Sequence, residues 1–192
     1  MAVRTPVLPL ERLLRERLIV EEDPGTADLI AGLRPARARG YLTKGEFERV
    51  CRWKSPRSIG LVRGNNHHRV RKATTTVLST VDERKRFDAL LALHGVSVPT
   101  ASAILTMLEP KRYGVIDIRV WQLLHAMGAV EGNARGAGFT FDQWLRFLRV
   151  IRDLAAQLGV SARTVERTLF AAHREHQIGT LYRKAPTRSV SA

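Results

Sequence analysis

Cysteine is almost absent from the sequence: Cys51 is the single residue of this type among 192. One cysteine excludes an intramolecular disulfide and any four-cysteine cluster. Apolar residues recur around Cys51 at helical spacing, so we expect its side chain to be a small core residue.

Long apolar runs are also missing. No such run follows the charges near the N-terminus, so the sequence shows the pattern of neither a signal peptide nor a membrane span. We therefore expect a cytoplasmic protein with no membrane partner.

Strand-forming runs are absent as well. The nearest is Val115-Ile116, which is too short to form a strand. The sequence therefore predicts an all-α fold. Its length suits one well-buried domain better than two. We place this domain at residues 1–178 and expect a loose basic tail over 179–192.

Acidic residues are scarce relative to basic ones. Lysine and arginine number 32 against 18 aspartates and glutamates, for a formal net charge of +14. A polyanionic partner is the first expectation. A basic protein of the membrane surface is an alternative, but no helical segment pairs a broad aromatic face with a lysine-rich one. RNA is a third possibility, although no RNA-reading motif is present.

Helical periodicity and capping residues divide most of the sequence into amphipathic helices. The pattern predicts helices over residues 9–21 and 27–33, then an irregular basic segment over 36–41. Later helices are predicted to begin at the capping residues Thr43, Asn65 or Asn66, Asp82, Thr140 and Ser161. The residues predicted to face the core in the helix after Asn66 are Val70, Ala73, Val77 and Val81.

Residues 91–121 contain a turn with a specific composition. An apolar helical segment reaches Gly95, and Pro99 and Thr100 then begin a second helix. Glycine permits a tight turn and the close approach of another chain segment. Proline suits a first helical turn because it lacks the N–H that would be unpaired there. We expect the amides of residues 97–100 to face outward, where a helix N-terminus favours an anion such as phosphate.

An aspartate, Asp117, begins another helix downstream of this turn. Together the turn and the aspartate resemble the helix-hairpin-helix DNA glycosylase superfamily, with the hairpin over residues 83–109. The resemblance implies an endonuclease III-like helical architecture that acts on double-stranded DNA. Some members carry an iron–sulfur cluster, which one cysteine cannot hold. The residues that carry the resemblance are Leu93, Gly95, Val96, Ser97, Thr100, Ala101 and Asp117.

The resemblance implies that Asp117 is a catalytic carboxylate. Cleavage of an N-glycosidic bond builds positive charge on the sugar, and a carboxylate can stabilise that charge and orient the attacking water. The expected activity is excision of a damaged or modified base flipped out of DNA. The alternative is a non-catalytic DNA-binding protein in which Asp117 only caps its helix.

Pro99 stands where superfamily members that also cut the DNA backbone have a lysine. Proline has no amine with which to form a Schiff base, so the resemblance implies a monofunctional glycosylase. Lys54 is the first lysine to consider as a spatial substitute. No redox cofactor or divalent metal is implied, and we favour a monomer.

The resemblance also assigns roles to the backbone of the hairpin. The carbonyls expected to hold a structural Na⁺ or K⁺ against a DNA phosphate are those of Leu91, Leu93 and Val96. The residues expected to contact phosphate directly, mainly through their amides, are Gly95, Val96, Ser97, Val98 and Thr100. Such contacts position DNA without reading its sequence.

Trp53, Lys54 and Arg57 form a second cluster. An aromatic residue beside two cations suits stacking on an extruded base and binding of flanking phosphates. The alternative is a buried tryptophan with solvated charges. Arg119 is expected to pair with Asp117 or with phosphate. Two further candidates for the wall of a base pocket are Tyr113 and Trp121, although the core is the favoured place for Trp121.

The spacing of the histidines does not favour a metal site. Adjacent histidines on a helix, such as His67 and His68, point about 100° apart. No cysteine or acidic residue stands at ligand spacing from them or from His94. We therefore expect these side chains to contact solvent or phosphate.

Overall fold

A computed structural model describes residues 5, 6, 8–178 and 181. Within them the secondary structure is helical and contains no β-strand element, which confirms the all-α prediction. The tail predicted over 179–192 lies outside the described residues except for Leu181. The helices are α1 (Leu10–Arg17), α2 (Pro24–Gly32), α3 (Arg34–Arg39), α4 (Lys44–Lys54), α5 (Ile59–Arg63), α6 (His67–Ser79), α7 (Glu83–Leu91), α8 (Val98–Leu108), α9 (Ile118–Ala126), α10 (Phe141–Leu158) and α11 (Ala162–His176), with a 3₁₀ turn at Pro56–Ser58.

Polar caps begin the later helices as predicted. Thr43 and Thr140 form capping boxes, in which each threonine exchanges hydrogen bonds with the residue three positions on. The other predicted caps that accept a backbone amide are Asn66, Asp82 and Ser161. These bonds satisfy amides that have no partner inside the helix.

Three segments near the N-terminus differ from the prediction. The first helix is shorter than residues 9–21, because the backbone turns extended at Leu18 (φ −58°, ψ 119°). The second begins earlier than predicted, at Pro24. The segment over 36–41 is largely helical rather than irregular, since α3 continues until Gly40 ends it with a φ of 82°.

Val81 does not face the core, contrary to the prediction. α6 ends at Ser79, and Val81 is 82% exposed in the link to α7. The other three predicted core positions of α6 are buried. The apolar repeat therefore runs beyond the end of the helix, and a residue outside a helix no longer follows its periodicity.

α8 forms the centre of the core. Every residue of α8 except Pro99 is buried, and α2, α4, α7 and α10 pack around it. α11 in turn packs against α9 and α10. This arrangement brings together the end of α4, the start of α8 and the start of α9. None of the described helices has both the length and the apolar character needed to cross a membrane.

Candidate functional site

Asp117 caps α9 and forms an ion pair with Lys54 at the end of α4. Its Oδ1 accepts a hydrogen bond from the Arg119 amide at 3.0 Å, and its Oδ2 accepts one from Lys54 Nζ at 2.7 Å. The Asp117 side chain is 22% exposed and that of Lys54 is 15% exposed. The cap confirms a prediction, whereas the ion pair is new.

The surroundings of Asp117 keep it ionised. Burial raises the pKa of this carboxyl group. The charge and hydrogen bond of Lys54, together with the amide and charge of Arg119, lower the pKa by more than burial raises it. The net result is a pKa below the ordinary value of 3.8. A carboxylate in this environment is negatively charged at neutral pH.

The segment leading to Asp117 is held tightly in place. The Ile116 amide donates to Ser102 Oγ at 3.1 Å. A Cβ added at Gly114 would lie 2.7 Å from Glu166 Cβ and 2.8 Å from Ile151 Cδ1. Any larger residue at Gly114 would therefore push this segment away from α11 and displace Asp117.

The turn between α7 and α8, residues 92–97, packs against α5. Gly95 has a φ of 76°, and a Cβ there would lie 2.9 Å from both the amide nitrogen and Cγ2 of Val62. The Asn65 side chain accepts a hydrogen bond from the His94 amide at 2.9 Å and donates one to the His94 carbonyl at 2.9 Å. The glycine was expected to allow close approach of another chain segment, and that segment is α5.

The side chain of Ser97, the N-cap residue of α8, does not cap the helix. Ser97 is exposed, and its hydroxyl lies 3.2 Å from Thr100 Oγ1 instead of bonding an α8 amide. Val98 begins the helix with a buried side chain. Amides at an uncapped helix start suit an anion, in keeping with the predicted phosphate contact.

The carbonyls expected to hold Na⁺ or K⁺ belong to Leu91, Leu93 and Val96. The Leu93 carbonyl accepts a bond from the Val96 amide at 3.2 Å. Arg69 Nη2 donates to the neighbouring Ala92 carbonyl at 3.0 Å. The Arg69 guanidinium thus contacts a carbonyl of this turn. The Na⁺ or K⁺ ion stays a prediction.

A groove of about 280 Å³ connects the α7–α8 turn with Asp117. It brings together site residues predicted from three separate parts of the sequence. We call it the Ser97 groove, and the residues that line it are Lys54, Ser55, Arg57, Ser97, Pro99, Thr100, Asp117, Ile118, Gly136, Ala137, Gly138 and Phe139.

A smaller cleft, of about 130 Å³, shares the Lys54–Asp117 pair with this groove. Trp53 forms part of its wall, and the indole Nε1 donates to Thr26 Oγ1 at 3.1 Å, which fixes the ring. This volume is below the usual range for drug-sized ligand sites, so the cleft suits only a small ligand. We call it the Trp53 cleft, and the residues that line it are Trp53, Lys54, Val115, Asp117, Arg163, Glu166, Arg167 and Phe170.

α11 supplies charged residues to the Trp53 cleft that sequence reasoning missed. Arg163 forms ion pairs with Glu166 and with Glu22, and Arg167 pairs with Glu22 at 2.6 Å. Burial raises the pKa of Glu166, although Arg163 acts against that increase. In the sequence these residues look like an ordinary charged helix face, and the packing of α11 on α9 brings them near Asp117.

Two predicted pocket residues lie in the core instead. Tyr113 is fully buried: its hydroxyl donates to Glu83 at 2.7 Å and accepts from Arg86 at 2.7 Å. Burial, together with Glu83, raises the pKa of Tyr113 to about 12. Trp121 is also fully buried, and its indole nitrogen donates to the Asn133 carbonyl at 2.9 Å. Neither side chain lines the groove or the cleft.

The Arg119 side chain contacts a residue of the Trp53 cleft. Its guanidinium carbon is 5.2 Å from the ring centroid of Phe170, which lines the Trp53 cleft. Its Nε is buried and has no hydrogen-bond partner among the described residues. The Arg119 guanidinium forms no ion pair with Asp117, contrary to the prediction, and the contact between the two residues is made by the Arg119 backbone amide.

A third depression flanks the α7–α8 turn and was not anticipated. This His68 groove is lined by residues that include His68, Arg69, Lys72 and Leu93. The sequence does carry a signal for it, because residues 49–81 contain no aspartate or glutamate while lysine and arginine recur throughout. In the described residues, no group of three His, Cys, Asp or Glu side chains is placed to hold a metal ion.

No protein-family model, curated protein or solved structure matches the chain. The resemblance to helix-hairpin-helix glycosylases therefore stays a prediction. The function has to be inferred from the Ser97 groove, the Trp53 cleft and the ion pair that they share.

Proposed function

We propose that the chain is a monofunctional DNA glycosylase that hydrolyses the N-glycosidic bond of a damaged or modified base flipped out of double-stranded DNA. The observation that carries this proposal is the position of Asp117. It lines both the groove that contains the α8 N-terminus and the aromatic-walled Trp53 cleft. A phosphate held at the turn and a base in the cleft would have the carboxylate between them.

The charge distribution supports double-stranded DNA as the partner. Arg57 and Lys54 line the Ser97 groove, and Arg69 and Lys72 line the His68 groove. The α7–α8 turn contributes residues to both grooves, so basic side chains flank it on two sides. Lysine and arginine contacts to phosphates supply most of the non-specific affinity for DNA. In this proposal the protein acts on the nucleoid in the cytoplasm.

The lowered pKa of Asp117 favours one chemical role over another. A strong general base has a pKa near the working pH, so Asp117 is a weak base. As a fixed anion, although one of its oxygens is paired with Lys54, it instead stabilises the positive charge on the sugar as the C1′–N bond breaks and the base leaves with the bonding electrons. Water then adds to C1′ and loses a proton to solvent.

Two observations support hydrolysis without cutting of the DNA backbone. Pro99 has no amine, and the amine of Lys54 is paired with Asp117. An amine held in an ion pair is not free to attack the sugar.

A non-catalytic DNA-binding protein is the second candidate. The same ion pair favours it, because Lys54 already neutralises the carboxylate that catalysis would need. In that case Asp117 joins α4 to α9 and caps a helix, and the grooves alone bind DNA.

The decisive experiment measures base release from a panel of duplexes with damaged, mismatched and phage-type modified bases. We expect the wild type to release a base and Asp117→Asn to be slower by about 100-fold or more. Asp88→Asn is the matched control, because Asp88 lies on α7 in an exposed pair with Arg84. Duplex binding without any release would support the non-catalytic candidate, and equal release by Asp117→Asn would remove Asp117 from its role.

A further inference from the structure

The carboxylates around the Trp53 cleft are all occupied by this chain's own donors. Asp117 accepts from Lys54 and from the Arg119 amide, and Glu166 is paired with Arg163. Glu22 is paired with two arginines beside the cleft. A ligand in the cleft therefore meets no unpaired carboxylate among the residues that line it, and the cations of these pairs oppose the approach of a positively charged ligand.

Hydrogen-bond donors near the cleft, in contrast, are not all paired. The Nε atoms of Arg119 and Arg167 are buried and have no hydrogen-bond partner in the described part of the chain. Arg167 lines the cleft, and the Arg119 guanidinium stacks on Phe170, which also lines it. Buried donors without partners are uncommon and favour a ligand that brings an acceptor.

The aromatic walls carry cations as well. The Arg163 guanidinium carbon lies 5.5 Å from the Trp53 ring centroid, and that of Arg119 lies 5.2 Å from the Phe170 ring centroid. A cationic ligand binds best to an aromatic face with no other cation on it. Both rings are already engaged with a guanidinium, so stacking of a second cation would be opposed by like charge.

We infer that the Trp53 cleft accepts an uncharged base with a carbonyl oxygen and discriminates against bases that carry a positive charge. This inference rests on the proposed function, since it takes the cleft as the base pocket. The neutral ring packs against Trp53 and Phe170, and its carbonyl oxygen faces the Arg167 side chain in the cleft wall.

Two pairs of bases of similar size test the charge preference. The purines are 8-oxoguanine and cationic N7-methylguanine, and the pyrimidines are uracil and cationic N3-methylcytosine. Each is placed in a duplex with a 2′-fluoro sugar, which resists hydrolysis, and the dissociation constant for the intact protein is measured. We expect the neutral base to bind at least about tenfold more tightly in at least one pair. Equal or tighter binding of the cationic base in both pairs would overturn the inference.

Arg119→Met tests the origin of the preference. The substitution removes the guanidinium and its Nε but keeps the backbone amide that Asp117 accepts from. We expect the neutral-to-cationic affinity ratio to fall by about threefold or more, while Arg12→Met on α1 leaves it unchanged. An unchanged ratio in a folded Arg119→Met protein would contradict the inference. Because these duplexes are not cleaved, a preference can be measured even if the glycosylase proposal fails in the release assay.

Discussion

Lys54 Nζ lies 2.7 Å from Asp117 Oδ2 and joins the end of α4 to the start of α9. The two residues are 63 positions apart in the sequence. Both line the Ser97 groove and the Trp53 cleft, so the ion pair lies at the junction of the two. The charge state and the position of Asp117 therefore depend on Lys54.

Replacing Asp117 should destabilise the fold through this pair. Asparagine can still cap α9, but Asp117→Asn leaves a largely buried Lys54 without its carboxylate. We expect a loss of about 1–3 kcal/mol in the free energy of unfolding at pH 7, measured with urea. The folded state lowers the pKa of Asp117, so the contribution is complete above pH 3.8 and disappears as the pH falls through the lowered value.

The double variant Asp117→Asn, Lys54→Met provides the control for that prediction. Removing both charges should recover much of the lost stability, because no uncompensated ammonium is then buried. A double variant as unstable as the sum of the two single variants would show that the residues do not interact.

The monofunctional assignment predicts that no covalent adduct forms with abasic DNA. Borohydride reduces a Schiff base between a lysine and the sugar to a stable link that is visible on a denaturing gel. We expect no such band for the wild type. A band that is present in the wild type and lost in Lys54→Met would instead identify Lys54 as an attacking amine.

Gly95→Ala should destabilise the α7–α8 turn and weaken DNA binding. The methyl group would lie 2.9 Å from the Val62 amide nitrogen at a φ of 76°, and we expect a loss of about 2–4 kcal/mol. Gly128→Ala is the matched control, because Gly128 has a φ of 71° and nothing within 4 Å of the added Cβ. That variant should lose about 1 kcal/mol and retain its affinity. Equal losses would mean that contact with α5 contributes nothing.

Salt dependence should report the role of the His68 groove. If Lys72 contacts a DNA phosphate, Lys72→Gln will reduce the slope of log K against log salt by about 1. Arg12→Gln should leave the slope unchanged, because Arg12 pairs with Glu16 on α1 and lines none of the three grooves and clefts described above. The affinity is measured by fluorescence anisotropy at several salt concentrations. An unchanged slope for Lys72→Gln would exclude this contact.

His173 should make the fold sensitive to mild acid. It is fully buried with its Nε2 3.2 Å from Gln122 Oε1. Burial and the charge of Arg119 lower its pKa from 6.5 to about 4. Between these values the unfolded chain binds a proton that the folded protein does not, so stability falls as the pH drops from 6.5 to 4, by about 3 kcal/mol.

His173→Gln tests this pH dependence by removing the titrating group. Relative to the wild type, the variant should lose less stability across that pH range in urea unfolding experiments. His125→Gln, on α9, should behave like the wild type. A wild-type slope in His173→Gln would assign the acid sensitivity to other residues.

Local features were predictable because their partners are close in the sequence. Thr43 and Thr140 each cap an amide three residues on, and Asp117 caps one two residues on. The side chains of Phe47 and Val50 are buried on the face that helical spacing predicts. The same reasoning was wrong at Val81, because the apolar pattern continues past the end of α6.

The sequence by itself determined an all-helical chain, the caps that begin its later helices, and a glycine turn that leads into a second helix. Only the tertiary structure decided that Lys54 meets Asp117, that Arg163 and Glu166 join them at one cleft, and that Tyr113 is buried away from it. The reason is physical: a cap or an apolar face depends on backbone geometry over a few residues. A cleft depends instead on how α4, α9 and α11 pack, and no short segment encodes that packing.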